Sequence, residues 1–163
     1  MIKIIRSLIG LSIVFGIGYL FGLKGVKFYE VISRSMEPTL TAGDRVIAIK
    51  PEKLKRKDIV VINDPEGKKN VLIKRIIGLP GEKIMIKKGN VYINNVKISE
   101  PYIKEKPRYV LIKKIPENHY FLLGDNRNDS KDSSVWGPVP KELIIGKVVC
   151  LYWPFKRFKI FLK

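Results

Sequence analysis

Two serines, one lysine and one polar loop are the parts of this 163-residue chain whose types and spacing could do covalent chemistry. Ser33 and Ser35 sit one residue apart in Ile32-Ser33-Arg34-Ser35-Met36-Glu37-Pro38-Thr39-Leu40, ahead of a Pro-Thr turn. Taken alone, such serines are ordinary loop residues. Lys74 lies inside an apolar run, residues 71–78, where an ammonium is expensive to bury unless it is paired or loses its proton. Strand alternation puts Lys74 and Arg75 on opposite faces, so only one of them need point inward, and the segment also fits a surface lysine with its stem along apolar neighbours. The third stretch, residues 124–137, is Gly-Asp-Asn-Arg-Asn-Asp-Ser-Lys-Asp-Ser-Ser-Val-Trp-Gly. It is dense in side chains that bond to backbone, as in an Asx-rich loop, and it is long enough to wall a site.

A serine hydroxyl is a poor nucleophile until a neighbouring base takes its proton, and a lysine does that only as the neutral amine. Its reference pKa of about 10.4 is too high for that near neutrality, but desolvation lowers it by several units. Ile73, Ile76 and Met36 are the candidates to form an apolar pocket around Lys74. His119, the one histidine, follows Pro116-Glu117-Asn118 and reads as a turn residue at the mouth of a strand. Cys150, the one cysteine, excludes an intramolecular disulfide framework and a cysteine-based zinc site, and reads as a small core residue. A Ser-Lys dyad is therefore the economical assignment. No metal or cofactor is expected.

The elements that must position these groups are mostly strands. Residues 44–50, 59–63, 71–78, 83–87, 119–123 and 144–151 are short Ile- and Val-rich runs separated by Gly, Pro, Asn and Asp clusters. Residues 90–93 and 96–98 flank Asn94-Asn95 as a hairpin. A mainly β, compact antiparallel domain is predicted for residues 28–163, with 45% hydrophobic residues to fill its core. The last residues, from Trp153 onward, mix aromatics with cations. They read either as a final strand with a frayed tail or as a surface resting on anionic lipid.

The first 27 residues differ from the rest. Residues 7–23 carry no charge, which gives about 25 Å of helix, with Lys3 and Arg6 before and Lys24 and Lys27 after. Basic flanks whose stems reach the headgroups suit a membrane anchor preceded by a short cytoplasmic tail. A cleavable leader fits less well, because the run ends in Leu20-Phe21-Gly22-Leu23 rather than in small residues. Lys and Arg total 32 against 15 Asp and Glu, a net charge of +17 that calls for anionic company. Beside an anchor, that excess is read as attachment to anionic lipid; no nucleic acid is expected.

Taken in order, the segments resemble the bacterial signal peptidase I family of membrane-bound serine proteases. An apolar anchor is followed by Ser33-x-Ser35-Met36-x-Pro38-Thr39-Leu40, Gly43-Asp44-x-Val46, Lys74-Arg75-x-x-Gly78-x-Pro80-Gly81-Glu82 and Gly124-Asp125-Asn126-Arg127-x-x-Ser130-x-Asp132-Ser133. The resemblance spans essentially the whole chain. It implies Ser35 as nucleophile, Lys74 as general base, and the Ser33 hydroxyl beside the Ser35 N–H as oxyanion hole. It further implies that Ser130 orients the lysine, that Asp132 supports the loop, and that Arg75 and Asp125 brace the core. The walls of the −1 and −3 side-chain pockets fall on Val31, Ile32, Met36, Leu40, Leu72 and Ile73. The implied reaction is removal of signal peptides from secretory preproteins after small residues at −1 and −3, by a catalytic domain on the outer side of the cytoplasmic membrane. Residues 83–116 stand as a minimal insertion.

Three positions depart from the family pattern. Ile32 stands where proline is common, Arg34 where glycine is common, and Ser134 where an arginine often partners the loop aspartate, which leaves Arg127 as the candidate partner for Asp132. Ser35 follows Leu23 by 12 residues, so the site is tethered within about 40 Å of the apolar segment. An extended peptide is expected to add as a strand between residues 31–33 and 71–73. Two other readings share some of these features. A self-cleaving repressor uses the same dyad but carries a DNA-binding domain, and a basic β-rich binding module explains the charge but not Ser35, Lys74 and Ser130 together.

Overall fold

A computed structural model describes residues 25–161. The apolar segment 7–23 lies outside the described residues, and among those described no helix is long and apolar enough to cross a membrane. Among the described residues, twelve strands make up nearly all the regular structure: β1 (Lys27–Glu30), β2 (Arg45–Ile49), β3 (Ile59–Asn63), β4 (Val71–Gly78), β5 (Lys83–Lys87), β6 (Asn90–Ile93), β7 (Val96–Lys97), β8 (Leu111–Lys114), β9 (His119–Leu123), β10 (Val139–Pro140), β11 (Ile144–Trp153) and β12 (Lys159–Ile160). One short helix, α1 (Ser133–Trp136), sits between β9 and β10. The mainly β, antiparallel architecture expected from the Ile- and Val-rich runs is the one observed.

The large sheet runs β1-β2-β11-β3-β4-β9-β10, with β12 also paired to β11; residues 83–114 add a separate sheet, β7-β6-β5-β8. The apolar sequence of β3 explains why its neighbours can bury both faces. Ile59 and Val61 face a cluster with Val31, Met36, Leu40, Val46, Ala48, Val148 and Leu151. Val60 and Ile62 face a second cluster with Ile76, Leu122, Val139 and Ile144 on the other side. A third cluster, built on Ile77, Phe121 and Leu123, joins the large sheet to the small one through Ile84, Ile86, Val91 and Ile115.

This two-sided burial settles the fate of Lys74 and Arg75. Lys74 lies opposite Val60 and Arg75 opposite Ile59, so the two side chains leave β4 on different faces. The expectation that only one need point inward is corrected: both are buried, because both faces of β4 are covered. Arg75 is matched by a bidentate pair to Asp125, 2.8 Å from Nε to Oδ1 and 2.6 Å from Nη2 to Oδ2. It also donates to the Lys57 carbonyl at 2.8 Å, and its guanidinium lies 4.1 Å from the Tyr102 ring. Thr39 donates to Asp125 Oδ2 at 2.5 Å, so the pair ties β4 to both the 33–40 segment and the loop after β9.

Removing one member of such a pair strands a buried charge. Asp125→Ala is expected to lower unfolding free energy by about 3–5 kcal/mol, read from the urea midpoint by tryptophan fluorescence. A loss below about 1 kcal/mol would show that the pair does not brace the fold.

Candidate active site

The Ser35 segment is held by burying its neighbours. Val31, Met36 and Leu40 are sealed into the first apolar cluster, and the chain between them turns tightly, with Glu37 N–H to Arg34 O at 3.1 Å and Leu40 N–H to Met36 O at 2.9 Å. The turn at Gly43, with φ of +88°, returns the chain so that Val31 and Asp44 bond through N–H to carbonyl at 2.8 Å. Glycine enters that left-handed conformation without a side-chain penalty. Arg157 then pins the outside of the loop, bonding Thr41 Oγ1 and lying 3.2 Å from the buried Asp44 carboxylate.

The second wall comes from the loop after β9. β9 pairs with β4 only from Arg75 onward, opposite Leu123, and leaves the first half of the β4 edge without a partner among the described residues. Beyond Leu123 the chain turns against the serine segment: Asn126 N–H donates to the Ser35 carbonyl at 3.0 Å and Asn126 Nδ2 to the Arg34 carbonyl at 3.2 Å. Gly124 makes this approach possible, because a Cβ there would collide with the Ser35 carbonyl oxygen and the Ser130 hydroxyl.

At the meeting point, Lys74 Nζ lies 2.7 Å from Ser35 Oγ. Lys74 is 3% exposed and Ser35 7%. Burial pushes the amine down from 10.5 to about 8, while the charges of Asp132 and Asp125 pull the other way. Protonated, Nζ donates to Oγ; deprotonated, it accepts the hydroxyl proton across the same contact. Ser33 Oγ is 3.1 Å from Ser35 Oγ, and the Ser35 N–H has no acceptor among the described residues. The arrangement thus sets a hydroxyl against a base able to take its proton during attack, with two donors nearby.

The remaining expected residues are distributed as follows. Asp132 is fully buried and caps α1, accepting from Ser134 N–H at 3.0 Å and from Gly124 N–H at 2.9 Å. Its expected partner, Arg127, is corrected: that guanidinium pairs with Glu100 at 2.5 and 3.0 Å and donates to Gly124 O at 3.0 Å. Ser134, where an arginine often stands, serves Asp132 through its backbone. Ser130 makes no hydrogen bond to Lys74; its hydroxyl is buried beside Gly124 with no partner among the described residues. Of the residues expected to wall substrate pockets, Leu72 lines a cleft of about 380 Å³ with Ser33, Ser35, Lys74 and Trp136. Ile32 is 84% exposed. Val31, Met36 and Leu40 are instead core residues, and Ile73 packs on their cluster, because alternation turns it to the face opposite Leu72 and Ile76. His119 sits at the far end of β9, its Nδ1 2.9 Å from the Glu117 carbonyl. Cys150 is half-buried on β11, and burial pushes its thiol up, away from reactivity.

Gly124 and Asn126 fall inside the polar loop singled out in the sequence, so a signal for them existed. Glu100, Tyr102 and Arg157 carried none, since each acts through a contact far along the chain.

A family model described as "Signal peptidase, peptidase S26" matches residues 2–153. The chain belongs to that family. It is a family of serine peptidases, which meets the expectation of a hydrolase. Among its relatives, a probable signal peptidase I-2 from Synechocystis is 43% identical over 77% of this chain and 62% of its own length, so the match leaves more than a third of that relative unspanned. A signal peptidase I from Leptolyngbya laminosa is 38% identical over 91% of this chain and 78% of its own. A signal peptidase IB from Staphylococcus aureus is 32% identical over 96% and 93%. The crystal structure of a signal peptidase I from Enterococcus faecalis, 32% identical, superposes with a TM-score of 0.54 over 59% of this chain and 97% of the other.

Two outcomes follow from the geometry. Gly124→Ala must push the Ser35 carbonyl or the Ser130 side chain aside, and is expected to cut peptidase activity at least tenfold while the far-ultraviolet spectrum stays unchanged. Lys74→Met removes a cation that wild-type protein must bury below pH 8. The variant is expected to be inactive yet more stable by about 1–3 kcal/mol at pH 7. That advantage should shrink between about pH 8 and 10, where unfolded wild type binds the proton that folded wild type has already lost. Equal stabilities across that range would mean that the amine is not desolvated.

Proposed function

We propose that this peptidase removes N-terminal signal peptides from secretory preproteins through an acyl-enzyme on Ser35, with Lys74 as the base. The 2.7 Å contact between the buried Lys74 amine and the Ser35 hydroxyl carries the reading. Neutral Lys74 takes the Ser35 proton as Oγ adds to the scissile carbonyl. The tetrahedral oxyanion accepts from the Ser35 N–H and the Ser33 hydroxyl, each contributing roughly 3 kcal/mol. The intermediate collapses as Lys74 returns the proton to the leaving amine. In the second half, Lys74 deprotonates a water that attacks the ester, and Ser35 regains its proton.

The free half-edge of β4, beginning at Val71 and running beside Ser35, supports addition of the substrate as an extended strand. Such a peptide presents alternate side chains to the cleft, and selection of small residues at −1 and −3 is read from the family resemblance. Asp132 supports the loop that walls the lysine, Ser130 orients the lysine only if its hydroxyl, unpartnered beside Gly124, turns to Nζ when substrate binds, and Arg75 and Asp125 form the brace beneath them. Residues 7–23 anchor the chain in the cytoplasmic membrane, with residues 28–163 on the outer side, where signal peptides emerge, and 83–116 as a minimal insertion. The exposed Phe155, Phe158 and Ile160, next to Lys156 and Lys159, rest against anionic lipid.

The pH dependence of preprotein cleavage tests the mechanism. kcat/KM is expected to rise with pH through about 8, as the free enzyme's amine deprotonates, and then level off. Ser35→Ala and Lys74→Ala should abolish cleavage, whereas His119→Ala should stay within threefold. Loss of cleavage in a folded His119→Ala variant would give the base role to the imidazole instead.

A further inference from the structure

On the face of β4 opposite the Ser35 cleft, a second cavity of about 520 Å³ opens at a gap along one edge of β11. β3 pairs with β11 as far as Lys147 opposite Val60, and β12 takes up the same edge only at Cys150 opposite Ile160. Between the two, the cavity is lined by apolar surface from Ile59, Tyr102 and Phe161 and rimmed by Lys55, Lys57 and Lys159. The one acid in its wall, Asp58, is already paired with Lys147 at 2.9 Å. The two arginines in the wall are likewise matched, Arg56 by Glu82 at 2.6 Å and Arg75 by Asp125. The three lysines have no ion-pair partner among the described residues; Lys159 Nζ lies 5.6 Å from the Phe161 ring centroid. The result is three unneutralised cations above an apolar floor, a volume ordinary for a small-ligand site.

The chemistry that fits is an anion attached to an apolar body. Its source is indicated by where the chain enters the domain. The Gly25 carbonyl accepts from Lys50 N–H at 3.1 Å, so the loop that carries Lys55 and Lys57 begins beside the exit of the apolar 7–23 segment. Lys57 follows Lys50 by seven residues, a reach of at most about 24 Å. On the opposite rim, Lys159 stands between Phe158 and Ile160, both exposed.

We infer that this cavity seats the headgroup of an anionic phospholipid, its phosphate among Lys55, Lys57 and Lys159 and its first methylenes against Ile59 and Phe161. The inference rests on the membrane-anchored reading above but concerns a separate place on the molecule. A seated lipid would touch the wall formed by Arg75 and Thr39, residues that also hold the Ser35 segment from behind.

The test is calorimetric titration of the full chain, in neutral detergent, with dihexanoyl phosphatidylglycerol. Saturable binding is expected, at least tenfold tighter than for dihexanoyl phosphatidylcholine or inorganic phosphate. Lys55→Gln, Lys57→Gln and Lys159→Gln together should weaken it at least tenfold with unchanged melting. The same triple change at Lys83, Lys113 and Lys114, on the second sheet, should move it less than twofold. Equal binding of inorganic phosphate would reduce the cavity to an ion site, and equal weakening by both triple variants would reduce it to general attraction; either overturns the inference. Flotation of the full chain on neutral phosphatidylcholine vesicles reads the anchor by itself. Failure there sinks the anchoring reading, whereas lost lipid discrimination in the titration sinks the cavity alone.

Discussion

The arrangement depends on taking one amine out of water without giving it a carboxylate to hold. Lys74 is 3% exposed, and burial alone drives its pKa down. Two carboxylates, Asp132 and Asp125, are near enough to oppose that shift, yet neither hydrogen-bonds the lysine. Asp132 is occupied by the N–H groups of Gly124 and Ser134, and Asp125 by Arg75 and Thr39. A direct ion pair at this position would lock the amine in its charged form. By committing each acid to a different donor, the fold keeps the desolvation and discards most of the compensation, and the amine ends at about 8 rather than above 10.

The same bonds that occupy the acids also build the walls. Asp132 draws in the Gly124 N–H just where that residue presses on the Ser35 carbonyl, and Asn126, two residues on, bonds the Ser35 and Arg34 carbonyls. Asp125, between them, reaches through β4 to Arg75 and Thr39. Three successive residues of one loop therefore fix the serine from its carbonyl side, the lysine strand from its opposite face, and the end of β9. Coupling of this kind makes the site non-additive: a change in the loop moves both reacting groups together.

Much of this was legible in the chain. β3, β4, β5, β6 and β9 carry uninterrupted or alternating apolar patterns bounded by turn residues, and their observed limits follow those patterns. The strands that the pattern missed, β1, β8 and β10, are two to four residues long, and each depends on a partner strand rather than on its own composition; β12 falls in the tail that reads as a final strand. Ser35, Lys74 and the polar loop were ordinary by residue type alone and gained roles from the order of motifs, and the structure brings them together. What sequence spacing could not convey was side-chain direction. Ile73 and Leu72 are neighbours with equal hydrophobicity, yet one enters the core and the other lines the cleft, a difference of one step in a two-residue period. The partner of Asp132 was obscure for a related reason: Arg127 is close in sequence, but Glu100, distant in sequence, holds it with two charge-assisted bonds.

The position of Arg34 shows how the family arrangement tolerates departure. A glycine at that place would leave the backbone between the two serines free, whereas this chain puts a long cation there. Its side chain turns outward, 70% exposed, and pairs with Glu37 at 3.1 Å; Lys104 pairs with the other oxygen of the same carboxylate at 2.8 Å. The bonds from Lys104 and Arg34 lower the Glu37 carboxyl from its ordinary value. Exposed pairs of this kind stabilise little, and Arg34 lines the cleft beside Ser33 and Ser35. Asn126 reaches the Arg34 carbonyl, so the backbone between the two serines is held whatever side chain stands there. A bulky residue is compatible with the site at that position as long as it leaves Ser33 and Ser35 on the same side.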